Sequence, residues 1–310
     1  MSGPQVNLSR LVGLVIIGAA CLFVADKIIE TRIWRLAEAD GTALALVVAA
    51  GATAYALSAF LLSAAWLKLL RWSGQEDAPT KQCLGLYARS QIAKYVPGNV
   101  FHIVGRHVMG RNLGFGHTAM LWAALLETVG LILAASVLAL LGALVWLAPG
   151  GGPSPVTLAA IGAILLLVPF ALAYGLPRLA SARGLAGRVG DARDVVTGLI
   201  PAYLLHVLFF LLCGGILWGV AGTLGEPSLA LLPPVVAAVA TAWIAGFLTP
   251  GAAAGIGVRE AVLIGALSGI IGEPESTLMA IAFRGITLSG DLLFFALSYP
   301  LASLARRPQP

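Results

Sequence analysis

Seven stretches of this chain, at about 8–25, 42–70, 118–148, 156–176, 198–222, 229–248 and 278–300, are apolar for long enough to cross a membrane as helices. Nothing constrains the fold more. Inside lipid the backbone finds no water, so every N–H and C=O must be satisfied within its own segment. The fold expected is all-α, a polytopic integral membrane protein. A transmembrane β-barrel would need alternating strands of ~10 residues, and none are legible. With 59% hydrophobic and 11% charged residues over 310 positions, little is left to coat a soluble domain. One transmembrane domain over 1–310 is expected.

Lys and Arg set the orientation. The segment 68–117 carries Lys68, Arg71, Lys81, Arg89, Lys94, Arg106 and Arg111, and 177–197 carries Arg178, Arg183, Arg188 and Arg193. Arg306 and Arg307 lie in the tail, whereas 149–155, 223–228 and 272–277 have no Lys or Arg. The basic group is expected in the cytoplasm, with the N-terminus, and the others outside, in the cell's inner (plasma) membrane. The net charge of +5 is a topology signal. The apolar run ending near Cys21 reads as a retained anchor, since Arg10 is the single positive charge before it. Cys21, Cys83 and Cys213 are far apart and resemble packing residues; no metal or cofactor is expected.

Two Gly-broken segments, 92–110 and 251–271, interrupt the pattern. Pro97-Gly98 precedes Arg106, and Pro250-Gly251 precedes Arg259, with the same spacing of nine residues from proline to arginine. Broken elements at matching places in two halves point to a transporter site and to an internal repeat. If 251–271 crosses, the tail is cytoplasmic, with eight crossings and one re-entrant element at 92–110. If it returns, there are seven crossings and two re-entrant elements. Gly255 and Gly257 can adopt backbone conformations closed to other residues, and a helix is expected from Val258. Its N-terminus suits an anion, with Arg259 beside it. Glu260, about 100° around the helix, points elsewhere. Gly265 and Gly269 form a GxxxG pattern that favours close helix packing.

Ionisable residues inside apolar segments are expensive, at about 2.5–3.5 kcal/mol each at the bilayer centre, and mark function. They are Glu127, Arg259, Glu260, Arg284 and Asp291, with Arg106 in the first broken element. Three arginines and three acids can balance one another or line a wet cavity. Arg284 and Asp291 share a helical face. Lys94 and Arg106 flank the first break and suit phosphate. His102 and Arg106, and His107 and Arg111, stand at i,i+4.

"KYVPGNVFHIVGR", Glu127, "PGAAAGIGVREAVL" and Arg284 resemble the transmembrane flippase-type domain of lysylphosphatidylglycerol synthases, over essentially the whole chain. The resemblance implies a domain that moves polar lipid head groups between leaflets. In those synthases aminoacyl transfer belongs to a separate soluble domain, which is not expected here, so the chain is not expected to be an enzyme.

The function expected is a lipid translocase for a phosphate-bearing lipid: a phospholipid, an aminoacyl-lipid or a polyprenyl-phosphate-linked lipid. Lys94, Arg106 and Arg259 would hold phosphate. Glu127, Glu260, Arg284 and Asp291 would balance charge or meet an amine, and Pro97, Gly98, Pro250, Gly251, Gly255 and Gly257 would act as hinges. No phosphate-cradling GxxxxGK[ST] loop is present in the sequence. The partners expected are the anionic lipid, a second copy of the chain or a lipid-biosynthesis protein, and no nucleic acid. Two other readings are a membrane enzyme acting on lipid-linked sugar or phosphate and a non-transporting subunit.

Overall fold

A computed structural model describes residues 22–29, 41–96, 100–146, 195–225 and 228–303. All regular elements among these residues are helical. They are α1 (22–29), α2 (Gly41–Trp72), α3 (Thr80–Gln91), α4 (Phe101–Asn112), α5 (His117–Trp146), α6 (Ile200–Ala221), α7 (Leu232–Leu248), α8 (Val258–Ile271) and α9 (Glu273–Ser303). Six helical spans, from α2 and from α5 to α9, are long and apolar enough to cross a membrane. The chain is a polytopic membrane protein. The expected helix at 156–176, most of that at 8–25, and the Pro97-Gly98 break lie outside the described residues.

The helices are apolar on their outer faces as well as in the core. Leu121, Leu125 and Val129 of α5, Leu204, Leu208 and Leu211 of α6, and Leu288 and Leu292 of α9 are exposed, at helical spacing. Lipid is the natural neighbour of such rows. Because lipid tails are as apolar as leucine, association rests on close packing, which small residues allow. Gly214 of α6 presses on Val236 of α7, Gly142 of α5 on Ala237 and the Pro233 carbonyl, and Gly290 of α9 on Tyr55 of α2. The Gly265/Gly269 pair does not follow the expectation of close packing. Both are exposed, and an added Cβ would meet nothing within 4 Å.

α3 and α4 have 12 residues each, about 18 Å at ~1.5 Å per residue, well short of the ~30 Å hydrocarbon layer. They lie side by side, with Arg106 Nε donating to Ser90 Oγ at 3.1 Å. The element expected to be re-entrant at 92–110 thus includes a second short helix, and the two, α3 and α4, form a helical hairpin that begins at Thr80. Its inbound arm has no apolar run because its polar face, with Tyr87, Ser90 and Gln91, is buried. The 3-10 turn Ile92–Tyr95 at its tip touches both α9 and the Ala253–Gly255 turn.

The second broken element behaves differently. α8 starts at Val258, as expected, with Arg259 against Gly246 near the end of α7. Further on, Gly265 and Gly269 line one groove with Ala238 and Pro234. α8 therefore runs back along most of α7, and the span Ala253–Ile271 is long and apolar enough to cross. α9 begins at Glu273, five residues before the expected 278, which leaves Gly272 as the sole residue between α8 and α9. Gly272 has φ 95°, and Glu273 and Glu275 sit in the first turn of α9, where acids favour a helix N-terminus. Lys27 of α1 pairs with Glu273 at 3.0 Å, which brings the end of the 22–29 stretch beside the α8–α9 turn.

A methyl group at Gly214 would sit 2.9 Å from the Val236 backbone, whereas Gly219 on the same helix has open space around it. Gly214→Ala is expected to destabilise the protein by about 1–3 kcal/mol through overpacking, read as a lower thermal midpoint in detergent. Gly219→Ala should leave the midpoint unchanged.

Candidate functional site

Seven ionisable side chains meet where the hairpin tip, the 249–257 loop, α5 and α9 converge, and six of them form three ion pairs. The first joins α4 to α5. Arg106 Nη1 lies 2.5 Å from Glu127 Oε2, and both residues are buried. Tyr87 donates its hydroxyl to Glu127 Oε1 at 2.7 Å. The Arg106 guanidinium also lies 3.8 Å from the Tyr87 ring centroid and 5.3 Å from that of Trp66, a cation–π arrangement that helps a buried cation.

The second pair fixes the hairpin tip. Lys94 Nζ lies 2.7 Å from Asp291 Oδ2 of α9, and the Tyr95 hydroxyl donates to the same oxygen at 2.5 Å. The third pair fixes the loop before α8. Arg284 Nε lies 3.3 Å from Glu260 Oε1, and Arg284 Nη1 donates to the Ala254 carbonyl at 3.2 Å. Glu260 Oε2 accepts the Gly257 N–H at 2.7 Å. The anion expected at the start of α8 is thus partly supplied by Glu260 itself, three residues into the helix.

That loop is strained. Gly251, Gly255 and Gly257 have φ of 82°, 71° and 80°, and Ala254 has φ 48°. Left-handed backbone is uncommon for a residue with a side chain and persists where surrounding contacts impose it. Arg284 supplies one such contact through the Ala254 carbonyl. Pro250 and Gly251 form the bend at the loop entrance.

Arg259 is the seventh group. It has no ion-pair partner among the described residues, and its Nε is buried without a hydrogen bond. The side chain passes between Gly246 and Gly255; a Cβ at either would come within 2.6–2.8 Å of it. Only glycine leaves that passage open. Arg259 lines two adjacent cavities, and so do Tyr55, Phe209 and Trp243. One cavity also contains Glu260 and Arg284, the other Gln91, His102, Arg106, Glu127 and Thr128. They offer water about 40 Å³ and 70 Å³, several times the ~10–15 Å³ that one water requires.

Four cations, Lys94, Arg106, Arg259 and Arg284, face three carboxylates, Glu127, Glu260 and Asp291. Among the described residues one positive charge is left over, and it belongs to Arg259. Nearby, His102 Nδ1 and Arg284 Nη2 are also buried and unpartnered. Buried polar atoms are nearly always satisfied, so each such exception calls for an explanation. The cluster can bind an anion from both cavities.

All seven expected charged residues therefore come together. Their partners differ from the expectation, which gave Lys94, Arg106 and Arg259 to phosphate; Arg106 is taken by Glu127. Lys94 takes Asp291, and Arg259 is released. Arg284 and Asp291 share a helix and bind different elements. Pro97 and Gly98 remain outside the described residues. Sequence reasoning missed Tyr87, Ser90, Gln91 and Tyr95. A signal existed: Tyr87, Ser90, Gln91 and Lys94 follow i, i+3, i+4, i+7, one polar face of a helix.

No family model, curated protein or solved structure matches the chain.

Removing one member of a buried ion pair leaves an uncompensated charge, at a cost of about 3–5 kcal/mol. Glu127→Gln is expected to lower thermal stability in detergent by that order. The double variant Arg106→Met with Glu127→Leu should recover most of the loss.

Proposed function

We propose that this chain is a lipid translocase that carries a phosphate-bearing polar lipid between the leaflets of the cell's inner (plasma) membrane. Arg259 is its phosphate contact. The observation that carries this reading is Arg259, without an ion-pair partner among the described residues and with its Nε buried and unbonded, lining two wettable cavities within a lipid-facing helical bundle. An uncompensated charge there is costly, and a phosphate oxygen would complete it with a short charge-assisted hydrogen bond. The resemblance of its motifs to the flippase-type domain of lysylphosphatidylglycerol synthases supports the same reading.

In this mechanism the acyl chains stay in the bilayer and the head group alone enters the polar seam. Arg284 offers a second donor through Nη2. Lys94, Arg106, Glu127, Glu260 and Asp291 hold the hairpin, the loop and α9 in register around it. Gly251, Gly255 and Gly257 let the loop change shape. No bond is made or broken, so the chain acts as a carrier and not as an enzyme. The N-terminus is cytoplasmic.

Arg259→Gln removes the charge and keeps much of the side-chain volume. Hydrogen bonds to a charged group contribute about 1.5–3 kcal/mol, so transfer of a fluorescent phospholipid in proteoliposomes should slow by about tenfold or more. Arg259→Lys should recover part of the rate. A folded Arg259→Gln protein that moves lipid at the unsubstituted rate would refute the reading. Conversion of the lipid into a new product by the purified protein would favour the enzyme reading instead.

A further inference from the structure

Resting on that reading of the site, we infer that the head group it accepts is a phosphodiester carrying a single negative charge and an uncharged polar substituent, such as glycerol or a sugar. An ammonium-bearing head group does not fit.

The charge balance gives the first part. Among the described residues the seam holds one surplus positive charge, on Arg259, so one negative charge brings it to neutrality. A phosphodiester has one charge spread over two non-bridging oxygens. Arg259 and Arg284 line the same cavity, and each has one buried nitrogen without a hydrogen bond, Arg259 Nε and Arg284 Nη2. Two donors suit two oxygens. A pyrophosphate or phosphomonoester would bring at least part of a second charge with no cation left to meet it.

The substituent follows from the second cavity. An ammonium group needs a carboxylate, and in both carboxylates that line the two cavities each oxygen already meets a donor that the ammonium would have to share. Glu127 accepts from Tyr87 with one oxygen and from Arg106 with the other. Glu260 accepts the Gly257 N–H with one and faces Arg284 with the other. Asp291 lines neither cavity and is held by Lys94 and Tyr95. The second cavity is instead lined by Gln91, by Thr128, whose hydroxyl donates to the Ala124 carbonyl and can still accept, and by His102, whose Nδ1 is buried without a partner. These are neutral donors and acceptors that match the hydroxyls of a polyol. Lys94 and Arg106 also line it and make the space more hostile to a second cation. This separates the chain from aminoacyl-lipid carriers, whose cargo bears an ammonium.

The test uses the full-length protein in proteoliposomes with fluorescent phosphatidylglycerol, phosphatidylethanolamine and phosphatidic acid of equal chain length. Binding is measured alongside, as the thermal shift given by dihexanoyl analogues of the same lipids. Phosphatidylglycerol should move about tenfold faster than phosphatidylethanolamine, the ratio expected from one unmatched charged hydrogen bond. Gln91→Glu is nearly isosteric and places a free carboxylate in the second cavity. It should reverse the order of these two lipids in both measurements. Equal transfer of phosphatidylglycerol and phosphatidylethanolamine, or a preference for phosphatidic acid, would overturn the charge match and leave the translocase reading standing. If no lipid moves, that reading fails, and the thermal shifts alone decide the inference: preferential stabilisation by the phosphatidylglycerol analogue supports it, and equal shifts refute it.

Discussion

Everything in this structure depends on the cost of holding charge inside lipid. Six of the seven charges in the seam are made tolerable by direct pairing, and each pair joins two different elements of the fold. Arg106 with Glu127 ties the hairpin to α5, Lys94 with Asp291 ties its tip to α9, and Arg284 with Glu260 ties the α8 loop to α9. Apolar contact would hold helices together with little preference for one angle over another, because lipid competes for the same surfaces. The ion pairs supply the register that leucine and valine cannot. They also isolate Arg259, since each available carboxylate is already engaged.

Polar hydroxyls complete this arrangement. Tyr87 and Tyr95 each donate to a carboxylate that already meets a cation, and Ser90 accepts from Arg106. A bare ion pair in a low-dielectric medium leaves lone pairs and protons unsatisfied. These neutral groups fill those valences and pin the side chains against rotation. Arg259 has no ion pair among the described residues, and glycine at 246 and 255 leaves room for its side chain to pass.

Much of the fold could be read from hydropathy. The apolar runs at 42–70, 118–148, 198–222 and 229–248 correspond to helices, because length and apolarity are properties of the run itself. The inbound arm of the hairpin escaped, since Lys81, Gln82 and Arg89 break its hydropathy while its polar face serves the interior. The start of α9 escaped because Glu273 and Glu275 look like loop residues until a helix dipole is placed behind them. All seven charged site residues were visible as intramembrane or break-flanking charges. Their pairing was not, because Lys94 and Asp291 lie 197 positions apart and no local pattern says which cation meets which acid.

A single residue, Gly272, separates α8 from α9, and so the two helices behave mechanically as one V-shaped lever. Arg259 and Glu260 ride on one arm, Arg284 and Asp291 on the other. The Arg284–Glu260 pair braces the arms, and Lys94–Asp291 couples the second arm to the hairpin tip. Any movement that widens the seam must therefore either break the Lys94 coupling or swing the hairpin along with the lever. In the proposed carrier, access to Arg259 from one side of the membrane or the other would then depend on where the hairpin tip travels, with the Lys94–Asp291 pair as its latch.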